Sequence, residues 1–517
     1  MSFKKNLIAN YASQIYMTLA GILILPLYLK YMGAEAYGLV GFFTALQSWF
    51  NVLDLGLSPS ISRETARMRA GAISAQNYRE LLRVLQLLFF IIMLVGTGVL
   101  FLLAPYISHS WLQAQTIPAQ EIQVALQLMA ASIGLRWMCG LYRATVIGAE
   151  RFVWLSYYTW VFTTLRYLGV LLVLIYIGTT PFLFFLYQII ISAFELAFLA
   201  SKAIREFPVL SQEQKLSWKL GDLVTCIKPI LPFALSIAVT SSIWIVITQT
   251  DKLILSRLLS LTEYGYFTLG VLAASGVMLF SAPFSMVLQP RLAKLKAEGK
   301  DKELLTLYRQ ATQFVASITI PASIVLAFFP EQVLWLWTNN LSVANATAPV
   351  LRLYALGNAA LAFTTFPYYL QYANGTMRLH LIGNTCFALL LIPSIIAATL
   401  HFGMIGAAKV WFLANISFFL IWTAFVHRRF IKNTHLRWLC ADLLPIVLLS
   451  LLTVASLNGL IATPDNKLTW IVKIGIISVS CVALNLLLVK FPLVAGVLRK
   501  FFDSKIRVKK HSSSTLS

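Results

Sequence analysis

The chain has 517 residues, of which 59% are hydrophobic and 12% charged, and its mean hydropathy is +0.78; soluble domains carry roughly 25% charged residues, so a soluble globular protein is excluded. The net charge of +22 invites a nucleic-acid reading, which fails because most of the 41 Lys and Arg fall in the termini or in every second loop between long apolar runs, as the positive-inside rule expects. The partners of that charge are then membrane lipids with anionic headgroups, and nucleic acid is not one.

Apolar runs of about 18 residues or more read as membrane-spanning helices. Lys4 and Lys5 precede the first run, which continues past Leu29 without a cleavage site and so reads as an uncleaved helix. Six helices are expected near 7–31, 37–57, 82–105, 122–148, 154–178 and 182–200. A second six follow near 227–250, 264–288, 307–329, 347–372, 379–400 and 406–427, and a final pair near 443–461 and 468–489. The fold class is therefore all-α and polytopic, with about 14 transmembrane helices. Arg63, Arg67, Arg69, Arg79 and Arg83 mark the second loop as cytoplasmic, and Lys202, Arg205, Lys215 and Lys219 the sixth. Arg291, Lys294, Lys296, Lys300 and Lys302 mark the eighth, and Arg428, Arg429, Lys432 and Arg437 the twelfth. Loops 106–120 and 331–346 contain no Lys or Arg and fall outside. Both termini are then cytoplasmic, and the tail 491–517 is basic.

A repeat runs through this array at an offset of 227 residues. Tyr37-Gly38 recurs as Tyr264-Gly265, Ala66-Arg67 within a basic loop as Ala293-Lys294, and Gly148-x-x-Arg151 as Gly375-x-x-Arg378. Three echoes at one offset indicate two homologous halves: an N-lobe at 1–215 and a C-lobe at 216–432, followed by a helix pair at 433–490. Six helices per half return the chain to the same face, so the repeats are parallel and should enclose a central cavity. That is transporter architecture.

No phosphate loop, dinucleotide fingerprint or H-E-x-x-H motif is present, and the largest hydrophilic loops are too short for an ATPase domain. An enzyme, a cofactor and a metal site are not expected. Cys139, Cys226, Cys386, Cys440 and Cys481 are scattered and read as small buried hydrophobes.

The intramembrane charges carry the chemistry, because an ion facing lipid is costly and must find a cavity, a partner or an interface. Arg136 and Arg143 are seven residues apart, about two turns, and share a face; Arg166 lies deep in the fifth helix. Arg352 and Lys409 complete the set of candidate substrate-binding cations. Glu195 is placed to pair an arginine or to bind a coupling proton. Asp54 and Asp251 either couple an ion or organise helix ends. Gln47, Asn51 and Asp54 form one polar stripe, and Thr240, Trp244, Thr248 and Asp251 another, each expected to line the cavity or to bond a neighbouring helix. Surplus arginine suits an anionic substrate, phosphate in particular.

The stretch Tyr31-Met-Gly33-Ala-Glu35-Ala-Tyr37-Gly38, then Asp54-Leu-Gly56-Leu-Ser58 with Arg63-Glu64, Gly148-x-x-Arg151 and Asp251-Lys252 together resemble the polysaccharide-transporter branch of the multidrug/oligosaccharidyl-lipid/polysaccharide exporter superfamily, the Wzx-type flippases. The resemblance covers about the first 430 residues; the terminal pair departs from the commoner twelve-helix members. It implies two six-helix lobes around a cavity that opens alternately to each face. It also implies transfer of a polyprenyl-pyrophosphate-linked oligosaccharide, such as an O-antigen or exopolysaccharide repeat unit, to the periplasmic leaflet of a bacterial inner membrane, with a glycan polymerase as a further partner. A MurJ-like flippase for a peptidoglycan precursor, a cation-coupled multidrug antiporter and a non-transporting scaffold are the alternatives.

Overall fold

The computed structural model describes residues 3–208, 227–280, 282–461 and 466–489; the expected basic tail, Cys226, Lys215 and Lys219 lie outside them. The described residues are helical almost throughout, with one isolated β-bridge, Gln113 to Ser260. The helices are α1 (Phe3–Met32), α2 (Ala34–Phe50), α3 (Leu57–Arg69), α4 (Ala75–Tyr106), α5 (Ala119–Gly148), α6 (Phe152–Thr164), α7 (Val170–Tyr176) and α8 (Pro181–Arg205). They continue with α9 (Leu231–Leu258), α10 (Leu261–Ser275), α11 (Ala282–Ala297), α12 (Asp301–Phe328), α13 (Pro330–Thr338), α14 (Leu341–Ala373) and α15 (Arg378–Phe430). A short turn, His435–Arg437, leads through a π-helical segment to α16 (Leu444–Leu460), and α17 is Lys467–Leu488.

Ten helices among the described residues are long and apolar enough to cross a membrane. One of them, α15, is two helices joined at Gly403, whose φ of 57° breaks its 53 residues. Three stretches that the sequence reads as crossings fall short of that test. The first, α2, has only 17 residues and runs into a 3₁₀ turn. The α10–α11 stretch is interrupted by a 3₁₀ turn at Gly276–Phe280. The 33 residues of α14 are long enough but less apolar.

Contacts group the chain into two compact units, Met1–Leu272 with Asn384–Val410, and Ala273–Gly383 with Trp411–Ser517. In the first, α5 packs against α3, α4 and α8. Small residues permit the close approach: a Cβ on Gly134 would stand 2.1 Å from Thr97 Oγ1, and one on Gly148 2.3 Å from the Ser62 carbonyl. Phe89 stacks on Trp137 with centroids 4.5 Å apart.

The 227-residue repeat takes physical form in the same unit. A Cβ on Gly38 would meet the Leu261 carbonyl oxygen at 2.3 Å, and a Cβ on Gly265 would meet the Ala34 carbonyl oxygen at 2.5 Å. Positions 34 and 261, like 38 and 265, are equivalent at the repeat offset. The contact is therefore reciprocal, as a two-fold relation between parallel repeats requires. Gly41 faces Thr268, its equivalent, where a Cβ would lie 2.8 Å from the side chain. The loop after α4 ties down the same end. Glu35 accepts from the backbone N–H of Gln115 at 2.5 Å and of Thr116 at 2.9 Å. Gln113 Nε2 donates to the Arg257 carbonyl at 2.8 Å, and Trp111 Nε1 to Ser256 Oγ at 2.9 Å.

The glycine echo at 148 and 375 proves to be two different devices. Each lies where one helix hands over to the next, and each helix end closes with an N–H donating five residues back, Arg151 to Val146 and Thr376 to Gln371. In the second half Gly375 supplies the left-handed residue, with φ 67°; in the first half Glu150 does, with φ 57°, and Gly148 serves the close approach to Ser62 instead. Arg151 then donates to Glu206 at 3.0 Å, and Arg69 and Lys202 also pair with that carboxylate. Burial pushes the Glu206 carboxyl up, but its bonds to Lys202 and Arg151 prevail and hold it below the usual range.

The second unit has its own core of Leu292, Tyr308, Val315, Phe363, Phe366, Trp438 and Ile477. Cys139 and Cys481 are buried as expected, whereas Cys386 and Cys440 are exposed; both lie on apolar helical segments, where an exposed face meets lipid and a weakly polar thiol is tolerated.

A candidate anion-binding cavity

A cavity of about 410 Å³ opens within the first unit, lined among others by Gln47, Asn51, Asp54, Arg136, Arg143 and Glu195. The expected stripe on α2 thus lines it. The stripe expected on α9 does not: Ser241 and Ile245, one position further on, face the cavity. The hydroxyls of Thr240 and Thr248 instead bond back to the Ser236 and Trp244 carbonyls at 3.2 and 2.9 Å, which satisfies them within their own helix. Asp251, also of that stripe, is 1% exposed and pairs with Lys252 at 3.3 Å.

Glu195, on α8, is the centre of the site, and its side chain is 6% exposed. Arg166 donates directly to its Oε2. Arg136 Nε stands 3.9 Å from that oxygen, and Arg143 Nη2 stands 3.7 Å from Oε1. Arg136 also donates to Gln47 Oε1 at 2.6 Å. Arg143 lies over the Tyr158 ring, 5.7 Å from its centroid, and the Tyr158 hydroxyl donates to the Glu195 backbone carbonyl at 3.0 Å.

Arg166 reaches Glu195 from a π-helical turn, Leu165–Gly169, between α6 and α7. A π turn offsets backbone carbonyls from their usual helical partners. Here side chains from α8 and α1 supply donors. Tyr187 Oη donates to the Leu165 carbonyl at 2.9 Å, Gln188 Nε2 to that of Arg166 at 3.5 Å, and Tyr28 Oη to that of Tyr167 at 2.8 Å. Gly169 gives Tyr187 room, since a Cβ there would lie 1.9 Å from its hydroxyl.

Asp54 accepts from Ser58 Oγ at 2.5 Å and from Ser58 N–H at 3.3 Å. It closes the sharp turn at Leu55 and Gly56, with φ of 47° and 73°, while remaining in the cavity wall. Arg352 and Lys409 do not line the cavity: Arg352 donates to the Ala327 carbonyl at 3.0 Å in the second unit, and Lys409 lies 5.7 Å from the Phe402 ring. Of the eight sequence candidates, the structure gathers Arg136, Arg143, Arg166, Glu195 and Asp54. The roles of Tyr158, Gln188 and Tyr187 went unread, since one buried Tyr or Gln in an apolar helix looks like any other.

Three guanidinium groups against Glu195 leave a local charge of +2, or +1 with Asp54 counted as ionised; the surplus belongs to the cluster as a whole, because Arg166 stands behind the cavity wall. Guanidinium forks at the wall of a polar cavity bind carboxylate or phosphate, and a surplus cation within the membrane is relieved by an anion. No group of three or more potential metal ligands occurs among the described residues.

Residues 3–296 match the family described as "Polysaccharide biosynthesis protein". No curated protein matches the sequence. Among solved structures, the fold is similar to the inward closed conformation of the lipid II flippase MurJ, with a TM-score of 0.70, 17% identity, and coverage of 93% of this chain and 97% of that one. It is also similar to an inward-facing multidrug-resistance MATE family transporter of the MOP superfamily (TM-score 0.62, 13% identity, covering 80% and 94%). A third likeness is the Vibrio cholerae MATE transporter VcmN in its bent form (TM-score 0.51, 14% identity, covering 84% and 98%). At these identities the likeness is one of fold.

Proposed function

We infer, since this chain belongs to the polysaccharide biosynthesis protein family, that its arginine-rich cavity holds the anionic head of a lipid-linked saccharide during transfer across a bacterial inner membrane. The substrate in this reading is a polyprenyl-pyrophosphate-linked oligosaccharide, an O-antigen or exopolysaccharide repeat unit, moved from the cytoplasmic to the periplasmic leaflet. The observation that carries it is the set of three arginines around Glu195. A pyrophosphate needs forked donors, the sugars need a hydrated cavity, and the lipid tail can stay in the bilayer. The cation surplus disfavours the organic cations of a drug antiporter. The likeness to the lipid II flippase fold keeps a peptidoglycan precursor as the second reading; its head is also a pyrophosphate.

The functional test is complementation of surface glycan in a deletion strain, with membrane levels of each variant measured. Arg136→Ala removes charge-assisted hydrogen bonds of about 1.5–3 kcal/mol each and should lower glycan at least about tenfold. Arg136→Lys keeps the charge, loses the fork and should recover little. Full glycan from the alanine variant would refute the assignment.

The same reading places both termini in the cytoplasm and the Lys- and Arg-free loops 106–120 and 331–346 outside. Single cysteines there, on a Cys-less background, should label with an impermeant thiol reagent in intact cells. Labelling at 291–302 instead would invert the topology.

A further inference from the structure

The three arginines are not equivalent, and their difference assigns them separate tasks. Arg166 is in hydrogen-bond contact with Glu195, whereas Arg136 and Arg143 stand 3.9 and 3.7 Å from it, ion pairs beyond hydrogen-bond length. Arg136, Arg143 and Glu195 line the cavity; Arg166 does not. Its Nε is buried and has no partner among the described residues, so that edge of the guanidinium does not open to the cavity. Its backbone is held on the π turn by Tyr187, Gln188 and Tyr28.

We propose that Arg166 is a positioning residue, the fixed counter-charge of Glu195, and that Arg136 and Arg143 are the arginines that take the ligand's anionic group in exchange for Glu195. The proposal rests on the functional reading above and deepens it. Arg136 and Arg143 approach different oxygens of one carboxylate, so a single anionic group of similar width can bridge them. When that group arrives, Glu195 gives up two long ion pairs and keeps its short one. Arg166 thereby spares the site an unpaired buried carboxylate, which is the costly state. Glu195 in turn acts as a built-in competitor: together with Gln47, which accepts from Arg136 at 2.6 Å, it holds the two arginines in the unloaded protein and weakens ligand binding, which favours release.

The experiment measures calorimetric binding of inorganic pyrophosphate to the purified full-length protein, with each variant checked by size exclusion and thermal melting. Arg136→Ala and Arg143→Ala should each weaken binding at least about tenfold. Glu195→Gln, which removes the competitor, should tighten it several-fold. Arg166→Gln should bind poorly, because the released Glu195 claims both cavity arginines. The decisive variant is the double Arg166→Gln/Glu195→Gln, which removes a paired charge from both sides and is the tolerated kind of change; it should bind at least as tightly as wild type. If the double variant binds as poorly as Arg136→Ala, Arg166 touches the ligand and the assignment falls. If Glu195→Gln binds no more tightly than wild type, the exchange falls. Wild-type protein that does not bind pyrophosphate would overturn the functional reading itself, and this inference with it.

Discussion

Replacing Gly38 and Gly265 together with valine should abolish transport while leaving the protein in the membrane. Each side chain would enter the space of a backbone carbonyl, 2.3 Å away for Gly38 and 2.5 Å for Gly265. A carbonyl within a helix cannot swing aside as a flexible side-chain tip can, so α2 and α10 must move apart by about an ångström. Overpacking of this kind costs about 1–3 kcal/mol per site. The two sites share one interface, so their effects should be coupled rather than additive. The proposed transport cycle supplies the reason for the large effect. The reciprocal contact adjoins the loop that Glu35 and Gln113 fasten, at the end expected to face outward, and a protein that cannot close there cannot alternate. Cysteines at positions 41 and 268, where a Cβ on Gly41 faces the Thr268 side chain, report the contact on a Cys-less background. They should cross-link readily with Gly38 and Gly265 in place and poorly in the valine variant. A valine double variant that cross-links and transports as wild type would refute this role.

The contact also shows how far the sequence could be read. The offset of 227 is visible in paired Tyr-Gly dipeptides, and the structure brings those two dipeptides together. That the paired glycines touch each other is a consequence of symmetry that no local pattern states. Membrane helices are legible because hydropathy acts over about 20 residues at once, and the break expected between 400 and 406 falls at Gly403. Angular placement was less legible. On α9 the polar stripe of the sequence runs through Thr240 and Thr248, but a threonine that bonds its own helix needs no cavity, and the adjacent Ser241 face is the one that opens. Arg136 and Arg143 could be placed on one face by counting. Their convergence with Arg166 on Glu195 could not, because it depends on a π turn that shifts the register of everything after Leu165. The extra residue of a π turn has no compositional signature, and its carbonyls are satisfied from helices that are distant in sequence.

Asp442→Ala should be among the most destabilising single changes in the second unit, for a reason equally hidden in the sequence. Asp442 lies in the π-helical segment that leads into α16, and its side chain is wholly buried. Arg309 on α12 grips it through Nε and Nη2, both at 2.7 Å, and Gln313 Nε2 adds a third bond at 2.6 Å. Trp438, one turn earlier and fully buried, donates to Thr312 Oγ1 at 3.1 Å. Together these contacts fasten the entry of the C-terminal helix pair to α12. Deleting the carboxylate leaves Arg309, which is 23% exposed, and Gln313 without their shared acceptor, a loss of about 1.5–3 kcal/mol. The cost comes mainly from the orphaned partner, so removing both charges should be gentler. Arg309→Met combined with Asp442→Leu is expected to melt well above Asp442→Ala and close to wild type. Thermal unfolding of purified protein measures this, and transport by the double variant separates stability from function. A double variant as unstable as the single one would mean that the bidentate geometry itself, rather than the avoidance of a bare charge, holds the helix pair in place. An Asp442→Ala protein that melts as wild type would show that the pair is energetically inert and that the apolar packing of Tyr308, Phe366 and Trp438 does the fastening alone.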